Sequence, residues 1–157
     1  MLPLNPHPPI VMFASSLGSI CLLFELLALK YDSIFSKPIR FVMLSLFLGA
    51  CVFSYYSGFY GADFATELPE ELIKTHQGYA RFGLIILLAN YFLGIIALLS
   101  IYSTKTLIRF YQGILAAVVG VIIYTSHLGG ELVFEHGGGV QGLGYDLDSP
   151  PGHKNPN

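Results

Sequence analysis

The sequence predicts an all-α integral membrane protein, a four-transmembrane-helix bundle followed by a flexible C-terminal tail. Composition indicates the class, because 54% of the 157 residues are hydrophobic, only 11% are charged and the mean hydropathy is +0.62. Soluble domains carry roughly a quarter charged residues. The apolar residues also fall into four runs, each close to the roughly 20 residues that cross a bilayer as a helix. The predicted spans are 10–29, 41–60, 79–102 and 107–128.

The charges in the connecting segments predict how the chain is oriented. The first and third connections are basic, whereas the second carries a cluster of acids. The basic residues are Lys30, Lys37, Arg40, Lys105 and Arg109, and the acids are Asp63, Glu67, Glu70 and Glu71. Because basic loops stay in the cytoplasm, we expect both termini on the periplasmic side of a bacterial inner membrane. The net charge is −2 and the sequence has no basic patch, so nothing in it suggests nucleic-acid binding.

The C-terminal segment differs in composition from the spans. Residues 137–157 are rich in glycine and proline and contain too few apolar residues to form a core of their own. We therefore divide the chain into a four-helix transmembrane domain, residues 1–136, and a periplasmic tail, residues 137–157.

Four histidines are expected at the outer end of the bundle. His7, His76 and His127 each lie within about a turn of the predicted outer boundary, and His136 follows two helical turns after His127. Imidazoles gathered at one membrane face are what a haem or a metal ion requires. The sequence therefore predicts a cofactor site at this face.

Small and polar residues recur on the helix faces that carry these histidines. Residues seven apart lie on nearly the same stripe of a helix. The stripes contain Ala14, Gly18, Cys21 and Glu25 in the first span, Gly83, Asn90 and Ala97 in the third, and Gly113 and Gly120 in the fourth. Such residues allow close helix packing in lipid. They also leave room for a flat porphyrin, and the spacing alone does not separate these two explanations.

The histidine pattern is compatible with more than one cofactor. Facing pairs suit axial ligation of b-type haem, with His76 and His127 as one pair and His7 and His136 as a second, so one or two haems are possible. Three imidazoles together with Glu131 or Glu135 would suit Zn, Cu or non-haem Fe equally well. A membrane anchor or assembly subunit without a cofactor is the alternative from a different class.

Glu25 is the unusual acid of the chain because it lies inside a predicted span. Charged residues at such depth are costly and often functional. The candidate partners at similar depth are Asn90, Gln112 and Arg109. One interpretation is structural, either an ion pair with Arg109 or a Glu25 side chain that extends to the cytoplasmic interface, and the other is a proton relay or a quinone site.

Three segments resemble a known family. They are HPPIVMFASSLGSICLLFELLAL near the start, THQGYARF before the third span and SHLGGELVFEHGGGV at the end of the fourth. Together they are similar to a bacterial family of four-span membrane proteins classed as a domain of unknown function, over about residues 5 to 140. Met12 and Ser15 depart from the family pattern, which often has His and Pro there. The matching positions are His7, Glu25, His76, Gly130, Glu131 and His136.

The resemblance implies a four-helix bundle in a redox setting, because such domains occur joined to, or beside, c-type cytochromes. We therefore expect a membrane subunit that binds haem b near the periplasmic face of a respiratory or photosynthetic complex. Its partners would be other membrane subunits, a periplasmic c-type cytochrome and quinol. No hydrolase triad or glycine-rich nucleotide loop is present, which favours an electron-transfer or accessory subunit over a stand-alone enzyme.

Overall fold

The computed structural model describes residues 5–31, 34–61 and 68–134, and this part of the chain forms four long helices. They are α1 (His7–Ala28), α2 (Lys37–Gly61), α3 (Glu70–Gly94) and α4 (Lys105–Phe134), and a short π-helix, Ile95–Leu99, continues α3. Each helix is long and apolar enough to cross a membrane. For the described residues, the predicted all-helical class with four helices long and apolar enough to span a membrane is confirmed. The predicted tail lies outside the described residues.

The four helices surround one core in chain order. α1 packs against α2, α2 against α3, α3 against α4, and α4 closes the ring against α1. The connections are short, so successive helices run in opposite directions. The first turns of α1 and α3 therefore share one end of the bundle with the last turns of α2 and α4.

Large apolar side chains lie both in the core between the helices and on the outer surface of the bundle. Leu44, Phe47, Leu87, Leu115 and Val118 are fully buried between the helices. Many other large apolar side chains are exposed, among them Phe13, Phe53, Phe82, Phe92 and Ile123. In water such a surface would drive association, whereas lipid tails solvate it. The distribution agrees with four helices surrounded by a bilayer.

Close contacts at two glycines hold neighbouring helices together. A Cβ atom at Gly18 of α1 would lie 2.6 Å from Cε2 of Phe47 in α2. A Cβ atom at Gly94 of α3 would lie 2.6 Å from Cδ2 of Leu44 and 3.2 Å from Cε2 of Tyr111. Only glycine permits this approach, which is the role that small residues take in membrane helix packing.

The helices extend beyond the predicted spans at several ends. α3 begins at Glu70 rather than at residue 79, and α4 continues to Phe134 rather than ending near residue 128. Hydropathy detects only the apolar part of a helix, whereas its hydrogen-bonded backbone continues into the polar interface. Two features support the early start of α3: acids in its first turn, which favour a helix N-terminus, and an ion pair of 2.6 Å between Lys74 and Glu70.

Two of the three predicted stripes face the core, and the third does not. Ala14, Gly18, Cys21 and Glu25 of α1 are buried, as are Gly83, Asn90 and Ala97 of the third span. The expected inward stripe of α4 is wrong, because Gly113, Gly120 and His127 are exposed. The buried residues of α4 are Tyr111, Gln112, Leu115, Val118, Val119, Thr125 and Leu128. These larger side chains fill the core and turn the small-residue stripe outward.

Candidate functional site

Two of the predicted histidines meet at one end of the bundle. His7 lies in the first turn of α1 and His76 in the second turn of α3. Their ring centres are 6.2 Å apart and the ring planes cross at 78°. Both side chains are half-buried. The structure thus brings together two imidazoles that are distant in sequence and belong to different helices.

Ser57 of α2 fixes the orientation and the tautomer of His7. His7 Nδ1 is 2.8 Å from Ser57 Oγ, and the Ser57 hydroxyl donates its hydrogen to the carbonyl oxygen of Ser54 at 2.7 Å. Because that hydrogen is already donated, Ser57 Oγ accepts from His7 Nδ1–H. A neutral imidazole has one protonated nitrogen. His7 therefore carries an unprotonated Nε2.

The main chain of α4 fixes His76 in the same tautomer. His76 Nδ1 is 3.0 Å from the carbonyl oxygen of Thr125. A carbonyl oxygen accepts but cannot donate, so Nδ1 carries the proton and Nε2 keeps its lone pair. Metal-binding histidines show the same arrangement, in which one nitrogen donates to a carbonyl and the other ligates.

Glycines line the positions where the two rings pack. A Cβ atom at Gly58 would lie 3.3 Å from Cε1 of His7, and one at Gly61 would lie 3.2 Å from Cβ of His7. On the opposite side, a Cβ atom at Gly129 would lie 3.1 Å from Cε1 of His76. The rings therefore rest directly on the backbones of α2 and α4, which limits their movement.

The other predicted ligands lie elsewhere. His127 is exposed on α4, Glu131 is half-buried and His136 lies outside the described residues. His76 contacts α4 at Thr125 and Gly129, and His127 is two residues from each of them. Two residues along a helix correspond to more than half a turn, so His127 faces away from the pair. The described residues thus pair His76 with His7 rather than with His127, and they contain no group of three His, Cys, Asp or Glu side chains that could hold a metal ion.

Glu25 forms a buried polar cluster toward the opposite end of the bundle. Its side chain is 1% exposed and forms an ion pair with Arg40, which is 2% exposed. Arg40 Nε donates to Glu25 Oε2 at 3.0 Å, and a second guanidinium nitrogen also bonds that oxygen. The Tyr111 hydroxyl donates to Oε1 at 3.1 Å. Gln112 donates to Oε2 at 3.1 Å and to the Glu25 carbonyl oxygen at 3.0 Å.

This cluster differs from the expected one in its cation. The predicted partner Gln112 is confirmed, but the ion pair forms with Arg40 and not with Arg109, which is exposed. The charge of Arg40 predicts a position in the first connection. Because α2 begins at Lys37, Arg40 lies one turn inside the bundle. A buried acid requires a cation at its own depth, and that requirement could have identified Arg40 from the sequence.

The hydrogen bonds of the cluster connect Glu25 to two other helices. Both carboxylate oxygens accept hydrogen bonds, from side chains of α2 and α4. A carboxylate held in this way joins three helices. Asn90, the third candidate partner, does not join the cluster, and its Oδ1 and Nδ2 atoms have no hydrogen-bond partner in the described structure.

Comparison of the chain with models of protein families, with curated proteins and with solved structures found no match. The functional inference therefore depends on the chain's own chemistry, above all on the two anchored imidazoles of His7 and His76.

Proposed function

We propose that the protein is a membrane subunit that binds b-type haem through His7 and His76 and takes part in electron transfer within a larger redox complex. The observation that carries this proposal is the pair of imidazoles whose Nδ1–H groups are both engaged, by Ser57 and by the Thr125 carbonyl. Each ring is left with an unprotonated Nε2, and no hydrogen bond to either Nε2 forms within the described ranges.

The number of ligands favours haem over a bare metal ion. Two axial imidazoles complete the coordination of a haem iron. A zinc site takes three or four protein ligands, and the described residues supply only these two. Zinc or copper would need a further ligand from the part of the chain that contains His136.

The surrounding residues would prepare the site before any cofactor binds. Hydrogen bonds to Nδ1 hold each ring in place and increase the basicity of the ligating nitrogen. The backbone at Gly58 and Gly129 supports the rings from opposite sides. When bound, a b-type haem supplies a reversible one-electron carrier.

The position of the pair favours electron transfer along one membrane face. All five histidines are at positions 7, 76, 127, 136 and 153, and none lies near the first or third connection. A second haem near the first or third connection, at the other end of the bundle, would have no histidine ligand. We therefore propose lateral exchange with a periplasmic c-type cytochrome or with quinol, with the positive-inside rule placing the pair at the periplasmic face.

The test is a dithionite-reduced minus oxidised visible spectrum of the protein purified in mild detergent, with metal analysis of the same sample. We expect a sharp α band and stoichiometric iron. His7→Ala and His76→Ala should each remove or strongly alter the Soret band, since each removes one axial ligand. His127→Ala is the matched control and should leave the spectrum unchanged, because His127 faces away from the pair.

The other outcomes each identify a different function. A full spectrum in both the His7→Ala and His76→Ala proteins would contradict the ligand assignment. A flat spectrum with bound zinc or copper would indicate a non-haem metal site. A flat spectrum without metal would leave a cofactor-free anchor, and deletion of residues 137–157 should then release a partner subunit.

A further inference from the structure

Asn90 of α3 is a buried amide without a hydrogen-bond partner. Its side chain is 0% exposed, and neither Oδ1 nor Nδ2 bonds to any protein atom in the described structure. Burying an amide without hydrogen bonds is costly, and nearly all buried polar groups bond to protein or to ordered water. The amide of Asn90 therefore indicates a bound molecule that can both donate and accept.

Asn90 lies one helical turn along α3 from Gly94, and Gly94 packs against Tyr111, a residue of the Glu25 cluster. Gly94 is four residues further along α3 and therefore lies on the same face as Asn90. A Cβ atom at Gly94 would lie 3.2 Å from Cε2 of Tyr111, so this face of α3 packs against the Tyr111 ring. Tyr111 donates its hydroxyl hydrogen to Glu25, which leaves lone pairs on the hydroxyl oxygen. Side chains of α1, α2 and α4 form the hydrogen bonds of the cluster, and among the described residues α3 contributes none to it.

We propose that internal water binds the amide of Asn90 and connects it to the Tyr111 hydroxyl, so that α3 becomes the fourth helix joined to the cluster. Water both donates and accepts, and typically forms about three hydrogen bonds to buried polar groups. The widening of α3 into a π-helix at Ile95, next to Gly94, is a feature frequent at functional sites.

The sign of a stability change tests the proposal. Asn90→Leu replaces the amide with an apolar side chain of similar size. If the amide is hydrated and bonded, the substitution removes these bonds and should lower the midpoint of thermal unfolding in detergent by about 2–4 °C. If the amide is unpartnered, the same substitution removes a buried polar group and should raise the midpoint, which would overturn the proposal.

A double-mutant cycle tests the connection to Tyr111. We expect Asn90→Leu and Tyr111→Phe together to lower the midpoint by less than the sum of their separate effects, because both remove the same bridge. Asn90→Leu with Ser57→Ala, at the other end of the bundle, should be additive. Additivity in both pairs would overturn the bridge. If the Asn90→Leu protein does not fold, an experimental structure of the unmodified protein tests the proposal instead. A structure that shows other internal waters but no water density beside the Asn90 amide would overturn the proposed water site.

Discussion

Ser57 fixes the orientation and the tautomer of His7 through a hydrogen bond, without any need to contact a cofactor itself. Its hydroxyl hydrogen is donated to the Ser54 carbonyl, so its oxygen accepts from His7, and this holds the ring in the tautomer with an unprotonated Nε2. For His76 the corresponding acceptor is the Thr125 main-chain carbonyl, which no side-chain substitution removes. Ser57 is therefore the position at which the support of the pair can be tested separately from the ligands.

Ser57→Ala should weaken cofactor binding while leaving both histidines in place. The loss of a hydrogen bond to a ligating histidine typically lowers metal affinity about 10–100-fold. Titration of haem into the cofactor-free protein measures this change. Ser16→Ala is the matched control, because Ser16 is exposed and donates only to the Met12 carbonyl of its own helix. Equal affinities for the two variants would rule out the proposed role of Ser57.

The buried ion pair makes a second prediction for single residues. Arg40→Ala should lower the free energy of unfolding by about 3–5 kcal/mol, because it leaves the buried Glu25 carboxylate without this cation. Glu25→Ala should also lower it, because it removes the bonds that join α1 to α2 and α4. Arg109→Ala should change it by less than about 0.5 kcal/mol, since Arg109 is exposed. Equilibrium unfolding by SDS in mixed micelles measures all three.

The paired substitution shows whether the charges act together. Replacing both Glu25 and Arg40 by Leu should cost less than the sum of the two single replacements by Leu, because the interaction between the two charges is lost only once. A double variant as unstable as the sum of the singles would contradict the ion-pair explanation.

Helix packing depends on which glycines face a neighbour. Gly18 lies against the Phe47 ring, whereas an added Cβ at Gly113 would meet nothing within 4 Å. Both are glycines in the interior of a long helix. The difference arises from helix rotation, which sets Gly18 toward α2 and Gly113 toward the outer surface.

The same substitution at these two glycines should therefore have opposite effects. Gly18→Ala should destabilise the bundle by about 1–3 kcal/mol, because an added Cβ overlaps the Phe47 ring. Gly113→Ala should be neutral or stabilise by up to about 1 kcal/mol through helix propensity. Thermal unfolding in detergent distinguishes them, and a stabilising Gly18→Ala would contradict the close contact.

At the scale of the whole molecule, the two polar sites lie at opposite ends of the bundle. The Glu25–Arg40 cluster lies toward the connections that carry Lys30 and Lys105, and the histidine pair lies at the other end. Four antiparallel helices also return the chain to the side where it started. Orientation in the membrane thus decides which compartment the histidine pair faces.

Reporter fusions measure this orientation. Because Lys30, Lys37, Lys105 and Arg109 favour the cytoplasm, alkaline phosphatase fused after residue 103 should be inactive. The same enzyme fused after residue 64 should be active, since that segment is expected outside. The reversed pattern would place the histidine pair on the cytoplasmic side and exclude a periplasmic electron partner.

The sequence by itself determined four membrane-length helices, their order, and the inward faces of α1 and α3, because apolar length and helical period are properties of the local chain. It also identified His7, His76 and Glu25 as unusual. Only the tertiary structure decided that His7 pairs with His76, that Arg40 neutralises Glu25 and that the small-residue stripe of α4 faces outward. In lipid both sides of a helix are apolar, so its rotation follows from packing against the other three helices and not from its own hydropathy.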